Sequence, residues 1–187
     1  MPTLQLANGK ILTDLDAIHL ALHPLPITLK HFDPGAAALF PDLPYRDILS
    51  NDEKRQILDL HNGHFGFLRQ QQHLWCDLLT LHPGSPNLYT ISMSYNRYHI
   101  HAGPEAIYAL AGEAIYGFIH PNGSHLQLLI QAQDYIHIAA GVEHWFMPAA
   151  SLHFKAIRYF TTSAGWVPQY TGTPMNDRFF REGQNEF

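Results

Sequence analysis

From position 75 onward the chain breaks into short runs of β-prone residues punctuated by Gly, Pro and Asn, and this punctuation constrains the fold more than any other feature. The runs cover residues 75–81, 88–92, 95–101, 106–110, 113–119, 126–130, 135–138, 144–147 and 152–160. Their spacing predicts a mainly β fold, an antiparallel β-barrel of the jelly-roll kind. Hairpin chemistry falls at Ala111-Gly112-Glu113 and at Pro121-Asn122-Gly123-Ser124. A small barrel of this type encloses one ligand.

The first part of the chain reads as a helical segment instead. Thr13 or Asp14 caps a short helix carrying Leu15, Ile18 and Leu22 at helical spacing, and Pro24 and Pro26 stop it. Residues 27–32 look like a strand, and residues 32–45 hold three prolines and read as a loop. Ser50 and Glu53 form a capping-box pattern at the start of a helix that carries Ile57, Leu58, Leu60 and Phe65. Gly63 and Gly66 interrupt it before a helical pattern resumes over 68–75. The expected organisation is one domain over 1–187: a helical preface to about 74, a barrel core over 75–160 and a tail over 161–187. In that tail the apolar pair Phe179-Phe180 is expected to pack within the chain.

The strand pattern gives meaning to one histidine arrangement. Alternate side chains on a strand share a face, so His99 and His101 project together while Ile100 packs the other way. After the turn-forming Ala-Gly-Pro at 102–104, Glu105 begins the paired strand and adds a hard carboxylate oxygen. His144, following a turn that contains Gly141, supplies a third imidazole from a distant strand. Three nitrogens and one oxygen suit divalent iron, nickel, manganese or zinc. With 14 histidines in 187 residues, about one His-x-His pair arises by chance, so the weight lies on the added Glu105 and His144. His120, His125, His137 and His153 lack this spacing, and His61 and His64, although i,i+3 on a helix, have no acidic helper.

Composition narrows the partners. Hydrophobic residues make up 46% and charged residues 14%, which suits a packed globular chain. A net charge of -5 with no basic block argues against nucleic acid or an anionic membrane and in favour of a small-molecule ligand. The single cysteine, Cys76, permits no intrachain disulfide. No leader pattern or long apolar run occurs, so a cytoplasmic protein is expected, as a monomer or small homo-oligomer. No dinucleotide or P-loop glycine pattern is present.

The two histidine motifs resemble those of the cupin superfamily. Residues 154–160 (Phe-Lys-Ala-Ile-Arg-Tyr-Phe) and 165–172 (Gly-Trp-Val-Pro-Gln-Tyr-Thr-Gly) resemble bacterial acireductone dioxygenases, a similarity that extends over nearly the whole chain. The resemblance implies a cupin barrel and one divalent ion, Fe(2+) or Ni(2+), held by His99, His101, Glu105 and His144. It implies Arg158 as an active-site arginine. It also implies O2-dependent cleavage of an enediol-ketone of methionine salvage, 1,2-dihydroxy-3-keto-5-methylthiopentene or a related compound. With iron the family forms formate and a keto acid; with nickel it also releases carbon monoxide.

Two positions depart from the family pattern. Tyr98 stands where a glutamate usually precedes the first metal histidine, and Ile107 stands where an arginine usually follows the metal glutamate by two residues. On a strand Ile107 shares the face of Glu105, so the change replaces a cation with an apolar wall. By the same parity Phe146 lies beside His144. Arg158, Phe146 and Ile107 are therefore the expected substrate contacts. Glu143 faces outward, and no catalytic acid or base is assigned beyond the metal ligands. Two other readings stay open: an oxygen-independent isomerase or lyase using the metal as Lewis acid, and a cupin that binds a small molecule without turnover.

Overall fold

A computed structural model describes residues 1–32, 40–70, 72–163 and 166–175. Its spine is β6, a 15-residue strand from Glu105 to Ile119 that takes part in two pairing systems. The first half of β6 pairs with β8 (Asp134–Ile138) and β10 (Phe154–Phe160), and β4 (Trp75–Leu81) and β3 (Ile27–His31) extend this layer at its two sides. The second half pairs with β7 (His125–Gln131) and β9 (His144–Pro148). Beyond β7 come β1 (Thr3–Gln5) and β2 (Ile11–Leu12), and beyond β9 come β5 (His99–Ile100) and β11 (Gln169–Tyr170). Every pairing is antiparallel. The mainly antiparallel β expectation is borne out, although the sheet does not close on itself.

The exchange of partners along β6 has a local cause. Lys155 lies opposite Ala111 but Ala156 lies opposite Ala109, so Leu110 is an unpaired extra residue. Such a bulge bends a strand and increases its twist. Two residues on, Gly112 has φ +72, and a Cβ there would come 2.0 Å from the His153 carbonyl oxygen. Only glycine fits this bend without strain. The expected hairpin at Ala111-Gly112-Glu113 is thus corrected: the glycine serves a corner inside one continuous strand.

The bulge also reverses strand parity. Before it, Ile107 and Ala109 face the main core; after it, Ala114, Tyr116 and Phe118 do so. Ala106 and Tyr108 face the opposite way, into a second cluster with Tyr135, Tyr159, Ile57 and Phe65. That cluster explains the helices of the preface. Helix α2 (Asn51–His64) carries the fully buried Ile57 onto the back of the sheet, and Phe65 follows at its C-cap. Each large apolar side chain buried there contributes roughly 1.5–3 kcal/mol.

The two capped helices are realised, whereas the helical pattern expected over 68–75 is corrected: the helix there ends at Gln70 and Trp75 already belongs to β4. Asp14 caps α1 (Leu15–Leu22) by accepting from the Ala17 amide at 2.9 Å, and Ile18 and Leu22 are buried. Ser50 accepts from the Glu53 amide at 3.3 Å, while the Ser50 amide donates to Glu53 at 2.8 Å. Helix α2 runs through Gly63 and breaks at Phe65, before the short α3 (Gly66–Gln70).

Residues 88–92, expected as a strand, lie instead in α4 (Pro86–Tyr95), which starts with Pro in its first turn after Ser85. Leu88, Ile91 and Tyr95, at i, i+3 and i+7, pack on the main core from this helix. The expected strand over 95–101 shortens to His99–Ile100. Phe179-Phe180 lies outside the described residues. No described helix is long and apolar enough to cross a membrane.

Candidate metal centre

The elements deliver four side chains to one buried point. On β5 His99 is the direct cross-strand partner of His144 on β9. His101 follows β5 and is tied back by its carbonyl, which accepts from the Gly141 amide at 3.0 Å. Gly141 takes φ +78, turning the chain into β9 and so aiming His144 inward. Glu105 is the first residue of β6. One ligand nitrogen from each of His99, His101 and His144 lies within 4.8 Å of the others, all three rings being buried. Glu105 Oε2 lies 3.1 Å from His144 Nε2 and 3.4 Å from His101 Nε2.

The second nitrogen of each ring is already committed. His99 Nδ1 donates to the Arg97 carbonyl at 2.7 Å, His101 Nδ1 to that of Val167 at 3.1 Å and His144 Nδ1 to that of Val142 at 2.9 Å. A neutral ring with its proton on Nδ1 presents a bare lone pair at Nε2. Nε2 of His99 and of His101 is buried with no hydrogen-bond partner. A lone pair opposed to a carboxylate is tolerable only with positive charge between them, either a proton on His144 or a divalent cation. The side chains fit a metal ion: three nitrogens and an anionic oxygen converge, with backbone carbonyls fixing the rings as they do behind metal-bound histidines.

The local electrostatics favour the metal-ready forms. Burial, reinforced by the neighbouring His144, lowers the His99 pKa to about 4. Burial also lowers that of His101, outweighing the attraction of Glu105. For Glu105, burial favours the neutral acid, but hydrogen bonding and charge from His144, the charge of His101 and the Tyr116 hydroxyl prevail and hold the pKa at about 2.

The acireductone dioxygenase family profile (ARD/ARD') matches residues 47–168. Over 178 residues the chain is 57% identical to an acireductone dioxygenase of Nostoc sp., covering 95% of this chain and 98% of that one. It is 41% identical over 174 residues to one of Microcystis aeruginosa, with 92% and 94% covered. The chain belongs to the acireductone dioxygenase family. It is accordingly a metal-dependent dioxygenase, with a His99, His101 and His144 site. In fold it resembles an acireductone dioxygenase from Bacillus anthracis with cadmium ion in its active centre, at a TM-score of 0.82 and 20% identity, covering 91% of this chain and 98% of that chain.

In this family member a narrow cavity opens beside His99, Glu105 and His144. Leu79, Ile91, Ile107, Phe146 and Trp166 line it, together with Tyr95, Tyr116 and Arg158. Ile107, Phe146 and Arg158, anticipated as pocket residues, therefore all face the cavity. Arg158 is the one lining cation among the described residues. Its guanidinium donates to both Asp77 oxygens, Nε at 2.9 Å and Nη2 at 2.6 Å. Tyr98 does not line the cavity; its hydroxyl meets His125 Nδ1 at 2.8 Å. Of Tyr98 and Ile107, only Ile107 stands in the cavity wall.

The other histidines have separate partners. His120 Nε2 meets the His23 carbonyl at 2.8 Å, His153 Nδ1 that of Ser151 at 2.7 Å, and the His137 ring packs edge-on to His73. Glu143 is half-buried outside the metal cluster, and the Thr173 hydroxyl donates to it at 2.5 Å. Sequence reasoning missed Asp77 and Tyr116. Asp77 is recognisable only once the register sets it opposite Arg158. Tyr116, whose hydroxyl donates to Glu105 Oε1 at 2.8 Å, is eleven residues from it, an odd separation that puts the two on opposite faces of a regular strand. The bulge at Leu110 restores them to one face.

Proposed function

We propose that this protein cleaves an acireductone, the enediol-ketone of methionine salvage, with O2, using one iron or nickel ion held by His99, His101, Glu105 and His144. The observation that carries this reading is the convergence of bare His Nε2 atoms and Glu105 Oε2 at the end of a mostly apolar cavity. When bound, the metal supplies a Lewis acid and template for a substrate chelating through two oxygens.

The protein's own residues account for the rest. Each ring donates its Nδ1 proton to a backbone carbonyl, which fixes the tautomer and aims Nε2 at the metal position, and burial favours the neutral, ligand form of His99 and His101. Glu105 reduces the charge of a divalent ion from +2 to +1, which suits a singly deprotonated enediol. Asp77 offsets Arg158, so the wall adds little net charge while retaining guanidinium N–H groups to orient a substrate oxygen. Phe146, Ile107, Leu79 and Trp166 match an apolar thioether tail and exclude water from the reacting end.

Product analysis tests this assignment. Iron-loaded protein given freshly generated acireductone under O2 is expected to yield formate and a keto acid, and the nickel form carbon monoxide. Rearranged product formed without O2 would favour the isomerase or lyase reading.

A further inference from the structure

Glu105 has two oxygens, and the fold uses them differently. Oε2 faces the histidine Nε2 atoms at 3.1 and 3.4 Å, whereas Oε1 accepts the Tyr116 hydroxyl at 2.8 Å. Tyr116 is 0% exposed, and its ring is fixed by an edge-on contact with Phe146 at 5.1 Å and a stack on Phe118 at 6.0 Å. The hydroxyl therefore has a set position rather than a rotating one. The phenol hydroxyl carries one donor, and it is spent on Oε1. The parity reversal at Leu110 has a direct result: it brings this phenol to the carboxylate at the head of its own strand.

We infer that Tyr116 is a positioning residue that restricts Glu105 to one metal-facing oxygen. This rests on the reading of Glu105 as a metal ligand given above. A carboxylate can bind a cation through one oxygen or two, and a buried oxygen without a donor turns toward the nearest positive charge. The phenol satisfies Oε1, so the carboxylate contributes a single donor. Four single donors on an octahedral ion leave two positions for water or for a substrate that chelates through two oxygens. A second Glu105 oxygen would occupy one of them. Tyr116 thus controls how the site admits a bidentate substrate without touching the reaction itself.

The test uses Mn(2+) alone as probe. Water-proton relaxivity at full Mn(2+) occupancy counts waters on the ion. Wild type is expected to hold two, and Tyr116→Phe one, so the inner-sphere contribution falls about twofold while Mn(2+) affinity is retained. Unchanged relaxivity in a folded, fully loaded Tyr116→Phe protein would overturn the inference but leave Glu105 as ligand. Mn(2+) affinity and relaxivity that do not respond to Glu105→Gln would overturn both. Should Tyr116→Phe fail to fold, infrared spectra of Mn(2+)-loaded wild type decide, with the Glu105 carboxylate assigned by difference against Glu105→Gln. Widely split carboxylate stretches indicate one-oxygen binding, and a narrow splitting contradicts it.

Discussion

Arg158 on β10 and Asp77 on β4 lie directly opposite one another and close a two-bond fork across the strands, at 2.9 and 2.6 Å. Ile107 sits opposite Arg158 on the other side, so Asp77, Arg158 and Ile107 form one row across three strands. The row presents the cavity with a guanidinium whose charge is already answered.

Asp77→Asn is expected to change selectivity more than stability. The Asp77 side chain is 47% exposed, so water screens the pair and its loss costs less than about 1 kcal/mol of folding energy. The unbalanced guanidinium favours dianionic ligands. The affinity ratio of a dianionic to a monoanionic enediol analogue is expected to rise about three- to tenfold, or about 0.6–1.4 kcal/mol. An unchanged ratio by competitive inhibition would show that Asp77 does not set the pocket's charge.

Alanine at His99, His101 or His144 is expected to abolish tight metal binding. The loss exceeds the roughly 10–100-fold seen when a merely supporting group behind a ligand is removed. His120→Ala, at a ring bonded to the His23 carbonyl, is expected to bind metal normally. Competition against a chromophoric chelator separates these outcomes, and a His99→Ala protein with wild-type affinity would remove that residue from the site.

The metal-free protein should lose stability on mild acidification. His99 has its pKa lowered to about 4 by burial, whereas an unfolded histidine titrates near about 6.5. The unfolded chain therefore binds the proton first. This contribution is complete above about pH 6.5 and is lost as pH falls toward 4. Glu105, lowered to about 2, adds a second loss between its unfolded value of about 4.3 and pH 2. Thermal melts of metal-free wild type and His99→Gln across this range check the first step, which the variant is expected to reduce.

Much of this was legible in the sequence because it depended on local rules. The turn before Glu105, the glycine before His144 and the period-2 placement of His99 and His101 are short-range features, and the structure brings these residues together. The capping box at Ser50 and Glu53 is local in the same way. The residues that were missed depend on nonlocal geometry. Asp77 needs the register of β4 on β10, and Tyr116 needs a bulge that shifts parity within β6. Residues 88–92 misled because Leu88 and Ile91 satisfy a short apolar run as well as a helical stripe.

Gly112→Ala tests the corner in β6. A Cβ would meet the His153 carbonyl oxygen at 2.0 Å, and the positive φ adds strain. The expected destabilisation is about 2–4 kcal/mol, measured by chemical denaturation. A cost below about 0.5 kcal/mol would mean that the strand turns its corner by other means.

The central claim is that the four converging side chains support metal-dependent oxygen chemistry on an enediol. Oxygen uptake tests it most directly, using metal-free protein and protein reconstituted with iron or nickel, each supplied with fresh acireductone. Rapid uptake by the metal-loaded forms, absent without metal and absent in His144→Ala, is the predicted result. Fully metallated protein that leaves oxygen and acireductone unconsumed would contradict the account.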